Sequence, residues 1–281
     1  MASEEKIRLI VTGDDFGRTK SVNAGILRAH REGILTAASL MVNEERAEQA
    51  VELARQTPSL AVGLHLSLVC GKSALKPSEI LGVVDNRFRF DASPLRAAVR
   101  YYFNRALHVH LKQEVDAQIR IFRTHGLKMD HLSGHVHFHL HPTVFHIIKR
   151  HAHAWGLRAV RVTRDPLFRH LGQGGGRPVA AAWHALILRL LCRKVPLSLA
   201  RRGIRYTDAV FGLHQSGRMT ESYLVRLLEG LGPGTYELYA HPDESEYRRE
   251  TDALCSPKVR QVVEQRGIEL TTYSALPLPK A

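Results

Sequence analysis

Between Met129 and Pro142 the chain reads MDHLSGHVHFHLHP, with histidines at 131, 135, 137, 139 and 141. Imidazoles ligate metals, carry protons and donate hydrogen bonds, so a run this dense implies a division of labour. On an extended strand all five would share one face, because successive side chains alternate. Alternate strand residues stand about 7 Å apart, too far for one ion to gather all five. Most of these histidines therefore do something other than hold an ion.

Groups of similar chemistry recur along the chain. They are Thr12-Gly13-Asp14-Asp15-Phe16-Gly17, Gly63-Leu64-His65-Leu66, Arg161-Val162-Thr163-Arg164-Asp165, Asp208, and Glu237-Leu238-Tyr239-Ala240-His241-Pro242. Each has a bland reading taken alone. A DD pair caps a turn, a histidine on an apolar strand is usually a satisfied core residue, and arginines 161 and 164 suit an edge. Gathered on one rim, they describe metal-activated hydrolysis. One carboxylate and two imidazoles around an open position lower the pKa of a bound water toward ~7. A second carboxylate can take the water's proton while a histidine protonates the leaving group. Asp15 with two histidines supplies the ligands, Asp14 the base and His241 the acid.

These residues converge only if the chain places them so, and its periodicity does. IRLIVTG (7–13) reads as a buried strand and SVNAGILRAHREG (21–33) as a helix closed by Gly33. LTAASLMV, LAVGLHLSLV, KMDHLSG, LRAVRV, YTDAVFG, GTYELYA and IELTTYS are further strands. Helices are predicted over 45–57, 110–126, 142–156, 220–231 and 256–267, with Pro142 at a first helical position. Strict alternation predicts a parallel sheet with helices outside. Seven or eight units point to a distorted (β/α) barrel in one domain over 1–281, a doubly wound sheet being the alternative. Two insertions, near 70–108 and 166–206, interrupt the rhythm. Functional groups of such folds collect where strands end, which is where the polar clusters fall.

The composition narrows the class. The 281 residues carry 44% hydrophobic and 24% charged residues, ordinary for a globular protein. Three cysteines without CxxC spacing argue against disulfide scaffolds and cysteine zinc sites. The acidic start is no signal peptide, so a cytoplasmic location is expected. Net charge is +13, and Pro166 to Thr207 holds eight Lys or Arg residues and no acid. That segment predicts an anionic partner. Within it VAAAWHALILRLLCRK combines an apolar helix with Arg189, Arg193 and Lys194, as suits peripheral contact with an anionic membrane at the inner face.

TGDDFG, VGLHLSL, the HxHxHxHP run, RVTRDP, TDAVFGLHQSG and YELYAHP resemble, in this order, the YdjC/ChbG family of carbohydrate N-deacetylases. The resemblance spans nearly the whole chain and is strongest toward the hopanoid-biosynthesis-associated HpnK branch. It implies a distorted barrel and one divalent ion held by Asp15, His65 and His135, with His137 or His139 as the alternative to His135. It implies Asp14 as base and His241 as acid. Arg161, Arg164, His137, His139 and Asp208 fall on the substrate side, and leftover histidines cap the helix at Pro142. Relatives carry DSHHHVH where this chain has Ser133-Gly134-His135-Val136-His137-Phe138-His139, so an Asp is replaced by Ser133 and a histidine by Val136. Two imidazoles favour zinc over magnesium, although the family is described with both. The implied substrate is an N-acetylated amino sugar, carried on a hopanoid or free as a chito-oligosaccharide. A metal-dependent phosphoesterase and a nucleic-acid-binding protein are the rival classes. The basic segment offers only Trp183 and Tyr206 for base stacking, so no nucleic-acid partner is expected.

Overall fold

The computed structural model describes residues 6–164, 193 and 195–279. Seven parallel strands occur among them: β1 (Ile7–Phe16), β2 (Ala37–Leu40), β3 (Ala61–Leu66), β4 (Met129–Gly134), β5 (Ala209–Phe211), β6 (Gly234–Ala240) and β7 (Glu269–Leu270). The order is β4-β3-β2-β1-β6-β5, with β7 paired to the lower part of β1. Residues 158–164 span the two edges. Leu132 donates to the Ala159 carbonyl and accepts from the Arg161 N–H on the β4 side, while Arg205 and Val210 donate to Arg158 and Arg164 on the other. The sheet is thus curled into the expected distorted (β/α) barrel.

Nine helices flank the sheet: α1 (Lys20–Glu32), α2 (Ala47–Arg55), α3 (Pro94–Phe103), α4 (Leu107–Thr124), α5 (Pro142–His151), α6 (Val195–Ala200), α7 (Glu221–Glu229), α8 (Arg248–Leu254) and α9 (Pro257–Gln265), counted among the described residues. Their starts follow from local chemistry. Thr19, Ser93, Thr220 and Ser256 accept backbone N–H groups at the openings of α1, α3, α7 and α9. Pro94, Pro142 and Pro257 sit in the first turns of α3, α5 and α9, where no N–H is needed.

Strand alternation divides the interior. On β1, Leu9 and Val11 join the large core beneath the helices, while Ile10 packs inside the barrel with Ala37, Ala159, Tyr273 and Leu276. Above that small apolar plug the inward residues turn polar: Thr12, Ser39, His131, Ser133, Arg161 and Glu237 are all fully buried. Gly63 makes room for this layer, since a Cβ there would stand 2.5 Å from the His131 ring.

The structure differs from the sequence expectations in several elements. LRAVRV forms isolated bridges at Ala159 and Val160 in place of a full strand, because its bonds are split between two edges. IELTTYS pairs only at Glu269–Leu270, then turns, as the Asp130 carboxylate accepts the Tyr273 and Ser274 N–H groups. Helices α3, α6 and α8 were not expected. The first insertion contains α3 and two antiparallel bridges. The apolar basic helix expected over 179–194 lies almost wholly outside the described residues, as does most of the second insertion. No helix among the described residues is long and apolar enough to cross a membrane.

Candidate metal and catalytic site

The site begins at the end of β1. Asp15 has φ of 63°, a left-handed conformation that L-residues adopt at a cost of roughly 1–2 kcal/mol. Ladder pairing with β2 shifts register there, between Gly13 and Phe16. On a regular strand Asp14 and Asp15 would face opposite sides. The left-handed turn instead brings both carboxylates to one imidazole: Asp14 Oδ1 lies 3.9 Å from His65 Nδ1, and Asp15 Oδ1 lies 3.4 Å from His65 Nε2. His135 Nδ1 is 3.0 Å from the same Asp15 oxygen.

Asp15, His65 and His135 each offer one ligand atom, and these atoms all lie within 4.8 Å of one another. The surrounding charge suits a cation. Three carboxylates (Asp14, Asp15, Glu237) face two guanidiniums (Arg18, Arg161), leaving one net negative charge before the imidazoles are counted. Burial lowers the His65 pKa to about 4 against the pull of Asp14 and Asp15, so its ring is neutral, as a ligand must be. Burial alone would raise Asp15. The hydrogen bond and charge of His135, with His65, outweigh it and hold the carboxyl well below its usual range.

Asp14 is clamped from below. Arg161 Nη1 and Nη2 donate to its two oxygens at 2.6 and 2.9 Å. The same guanidinium donates to both Glu237 oxygens, which also accept from Thr12 and Tyr273 hydroxyls. Burial opposes ionisation of Asp14, but the Arg161 charge, with His65 and the guanidinium bonds, holds it anionic far below the ordinary value.

The mouth is a cavity of about 250 Å³ lined by Asp14, His65, His135, His137, Tyr239 and His241, among others. His241 lines the cavity, with Nδ1 3.2 Å from Ser216 Oγ. His137 reaches Tyr239 OH through Nε2 and Thr163 Oγ1 through Nδ1, both at 3.1 Å. Larger hollows of about 430 and 490 Å³ lie along α1 and at the opposite rim, without this gathering of ligand atoms.

Four residues expected on the substrate side stand elsewhere. Arg161 is wholly buried, and its hydrogen-bonding capacity goes to Asp14 and Glu237. His139 is also wholly buried, with Nε2 2.9 Å from the Arg161 carbonyl. Asp208 accepts from the Thr235 N–H, and Thr235 is level with Arg8, near the bottom of β1. Arg164 follows it there, donating to the Asp208 carbonyl. The histidine run is not a strand beyond Gly134. It becomes a 3₁₀ turn in which Val136 and His137 are left-handed. His141 occupies the N-cap position of α5 without a side-chain cap bond and turns to the Ala98 carbonyl instead.

Arg18 (on Asp15), Glu237, Tyr239 and Ser216 were not assigned roles from sequence. Glu237 and Tyr239 could have been found, since they share with His241 the inward period of β6.

The YdjC-like protein family matches residues 8–265, and the chain belongs to that family. A carbohydrate deacetylase from Mus musculus is 30% identical, covering 96% of this chain and 95% of its own length. One from Geobacillus stearothermophilus is 36% identical, covering 94% and 96%. One from Brevibacillus brevis is 42% identical over half of this chain and 54% of its own length. The crystal structure of an Enterococcus faecalis protein assigned by name to cellobiose-phosphate cleavage superposes with a TM-score of 0.73 at 22% identity, covering 97% of this chain and all of the other. That likeness concerns the fold.

Proposed function

We propose that this chain is a metal-dependent carbohydrate N-deacetylase, which releases acetate from an N-acetylated amino sugar. The observation that carries the proposal is the gathering of Asp15, His65 and His135 beside an Arg-clamped Asp14 and His241, around one cavity. The name shared by the full-length relatives agrees with it. A divalent ion held by Asp15, His65 and His135 would polarise the acetyl carbonyl and lower the pKa of water. Two imidazoles favour zinc over magnesium.

The protein's own groups account for the proton transfers. Asp14 accepts a proton from the attacking water, with Arg161 fixing the carboxylate's orientation. Water oxygen bonds to the acetyl carbon, the C–N bond breaks, and His241 delivers a proton to the departing amine nitrogen. Ser216 orients His241 for this step, and His137 with Tyr239 borders the sugar. A cavity of about 250 Å³ falls just below the roughly 300–1,000 Å³ of drug-sized sites, which suits one sugar ring better than a polymer.

The finer reading is that the sugar is carried on a hopanoid lipid, the enzyme meeting its substrate at an anionic membrane surface. Helix α3 supports it. Leu95 and Phe103 are 76% and 75% exposed, and Val99 and Tyr102 project beside them. Arg96, Arg100, Arg105 and Lys112 lie along the same stretch, Arg96 and Arg100 beside Asp91 and Lys112 beside Asp116. This helix borders the site's rim, since Tyr101 donates to the Leu68 carbonyl and His141 meets Ala98. Mass spectrometry of N-acetylglucosaminyl hopanoid and of diacetylchitobiose, each incubated with enzyme and zinc, tests both levels. Loss of one acetyl group from the hopanoid alone supports the full reading, and loss from chitobiose alone moves it to soluble sugars. Acetate release from neither rejects deacetylation of these sugars. Vesicle co-sedimentation adds a check: binding to anionic vesicles should fall with salt and in Leu95→Ser/Phe103→Ser. Equal binding to neutral vesicles, or none to either, removes the membrane contact.

A further inference from the structure

Behind His65 a file of buried polar groups crosses the barrel to its other rim. His65 Nδ1 lies 2.8 Å from Ser133 Oγ, and Ser133 donates to Ser39 Oγ at 2.9 Å. Ser39 Oγ lies 3.0 Å from His131 Nε2, and His131 Nδ1 lies 3.0 Å from Asp130 Oδ2. Ser39, His131 and Ser133 have no exposure to solvent. Asp130 accepts from the Ser274 and Tyr273 N–H groups and lines the hollow at the lower rim with Arg55 and Lys128. His131 also stacks on Tyr273, with ring centroids 5.0 Å apart.

We propose that Asp130, His131, Ser39 and Ser133 form a one-way hydrogen-bond relay that fixes the tautomer of His65. The direction follows from counting protons. A carboxylate only accepts, so His131 Nδ1 donates to Asp130 and its Nε2 must accept. Ser39 then spends its single proton on His131, and its oxygen accepts from Ser133. Ser133 in turn has no proton left for His65, so His65 donates through Nδ1. Its Nε2 lone pair is thereby directed to the Asp15 side, where a ligand atom is needed. Outer-shell partners of this kind tune metal affinity by about 10- to 100-fold. Ser133 and Ser39 are positioning residues; neither touches substrate.

The assignment of purpose rests on the metal reading above, but the relay itself can be tested without metal. In metal-free protein labelled with ¹⁵N-histidine, His65 should show one tautomer, protonated at Nδ1. Ser39→Ala frees the Ser133 proton, which then turns to His65 Nδ1 and populates the Nε2-protonated form. Ser133→Ala removes the acceptor and should also mix the tautomers. Each change deletes one oxygen and leaves a buried neighbour short of a partner, so the melting temperature should fall modestly, with the fold kept. Zinc affinity should fall about tenfold or more in both. A purely structural cluster would leave the tautomer alone. An unchanged Nδ1–H tautomer in Ser39→Ala overturns the relay, and unchanged zinc affinity despite a mixed tautomer overturns its purpose. If the wild-type protein takes up no zinc, the metal reading fails, and the tautomer comparison still decides the relay.

Discussion

Asp14 and Asp15 are adjacent and chemically identical, yet their surroundings divide their work. Arg161 grips one with a bidentate clamp, while the other meets two imidazoles and Arg18. Asp14→Asn keeps the shape but cannot accept a proton, so turnover should drop ~10²- to 10⁴-fold with zinc content unchanged. Asp15→Asn should weaken zinc binding, and excess zinc should partly restore its activity. Metal analysis beside acetate release checks both, and the opposite rescue pattern would exchange the roles. Arg161→Met leaves buried carboxylates without their counter-charge, which should cost about 3–5 kcal/mol in a denaturant titration. A loss under about 1 kcal/mol would mean that the clamp is not needed for folding.

At the scale of elements, the barrel's inward period explains both what the sequence revealed and what it hid. Apolar runs ending in polar groups marked β1, β3 and β6, and with them Asp14, Asp15, His65 and His241. The alternation rule then failed where the backbone leaves it. Left-handed Asp15, Val136 and His137 carry no glycine to announce the turn, so the histidine run looked like a continued strand. Arg161 and His139 were placed on the substrate side because their partners are remote in sequence: Asp14 and Glu237 for Arg161, and the Arg161 carbonyl for His139. Asp208 was placed by strand membership without knowing which end of β5 it occupies. Gly63, by contrast, is explained only by its neighbour. Gly63→Ala should drive a methyl into the His131 ring and cost about 1–3 kcal/mol, read as a lowered unfolding midpoint. Wild-type stability in that variant would show that the polar layer has slack.

The whole molecule should also respond to acid through its buried imidazoles. Burial lowers His139 to about 3 and His65 to about 4, from the ordinary 6.5 that both regain on unfolding. The unfolded chain therefore binds more protons between those values, and the stability they contribute is present above pH 6.5 and lost as pH falls toward 3. His139→Gln, which can still donate to the Arg161 carbonyl, should flatten that decline in melting scans across pH. An identical decline in the variant would assign acid sensitivity to other groups.

The most direct test of the account is acetate release from an N-acetylated amino sugar by metal-stripped protein, before and after adding zinc. Stripped protein should be inactive, zinc should restore release, and His65→Ala and His135→Ala should lose bound zinc and release together. His137→Ala should keep its zinc. Acetate release that persists in stripped protein, or stoichiometric zinc retained by both ligand variants, would contradict the metal centre on which the proposed chemistry rests.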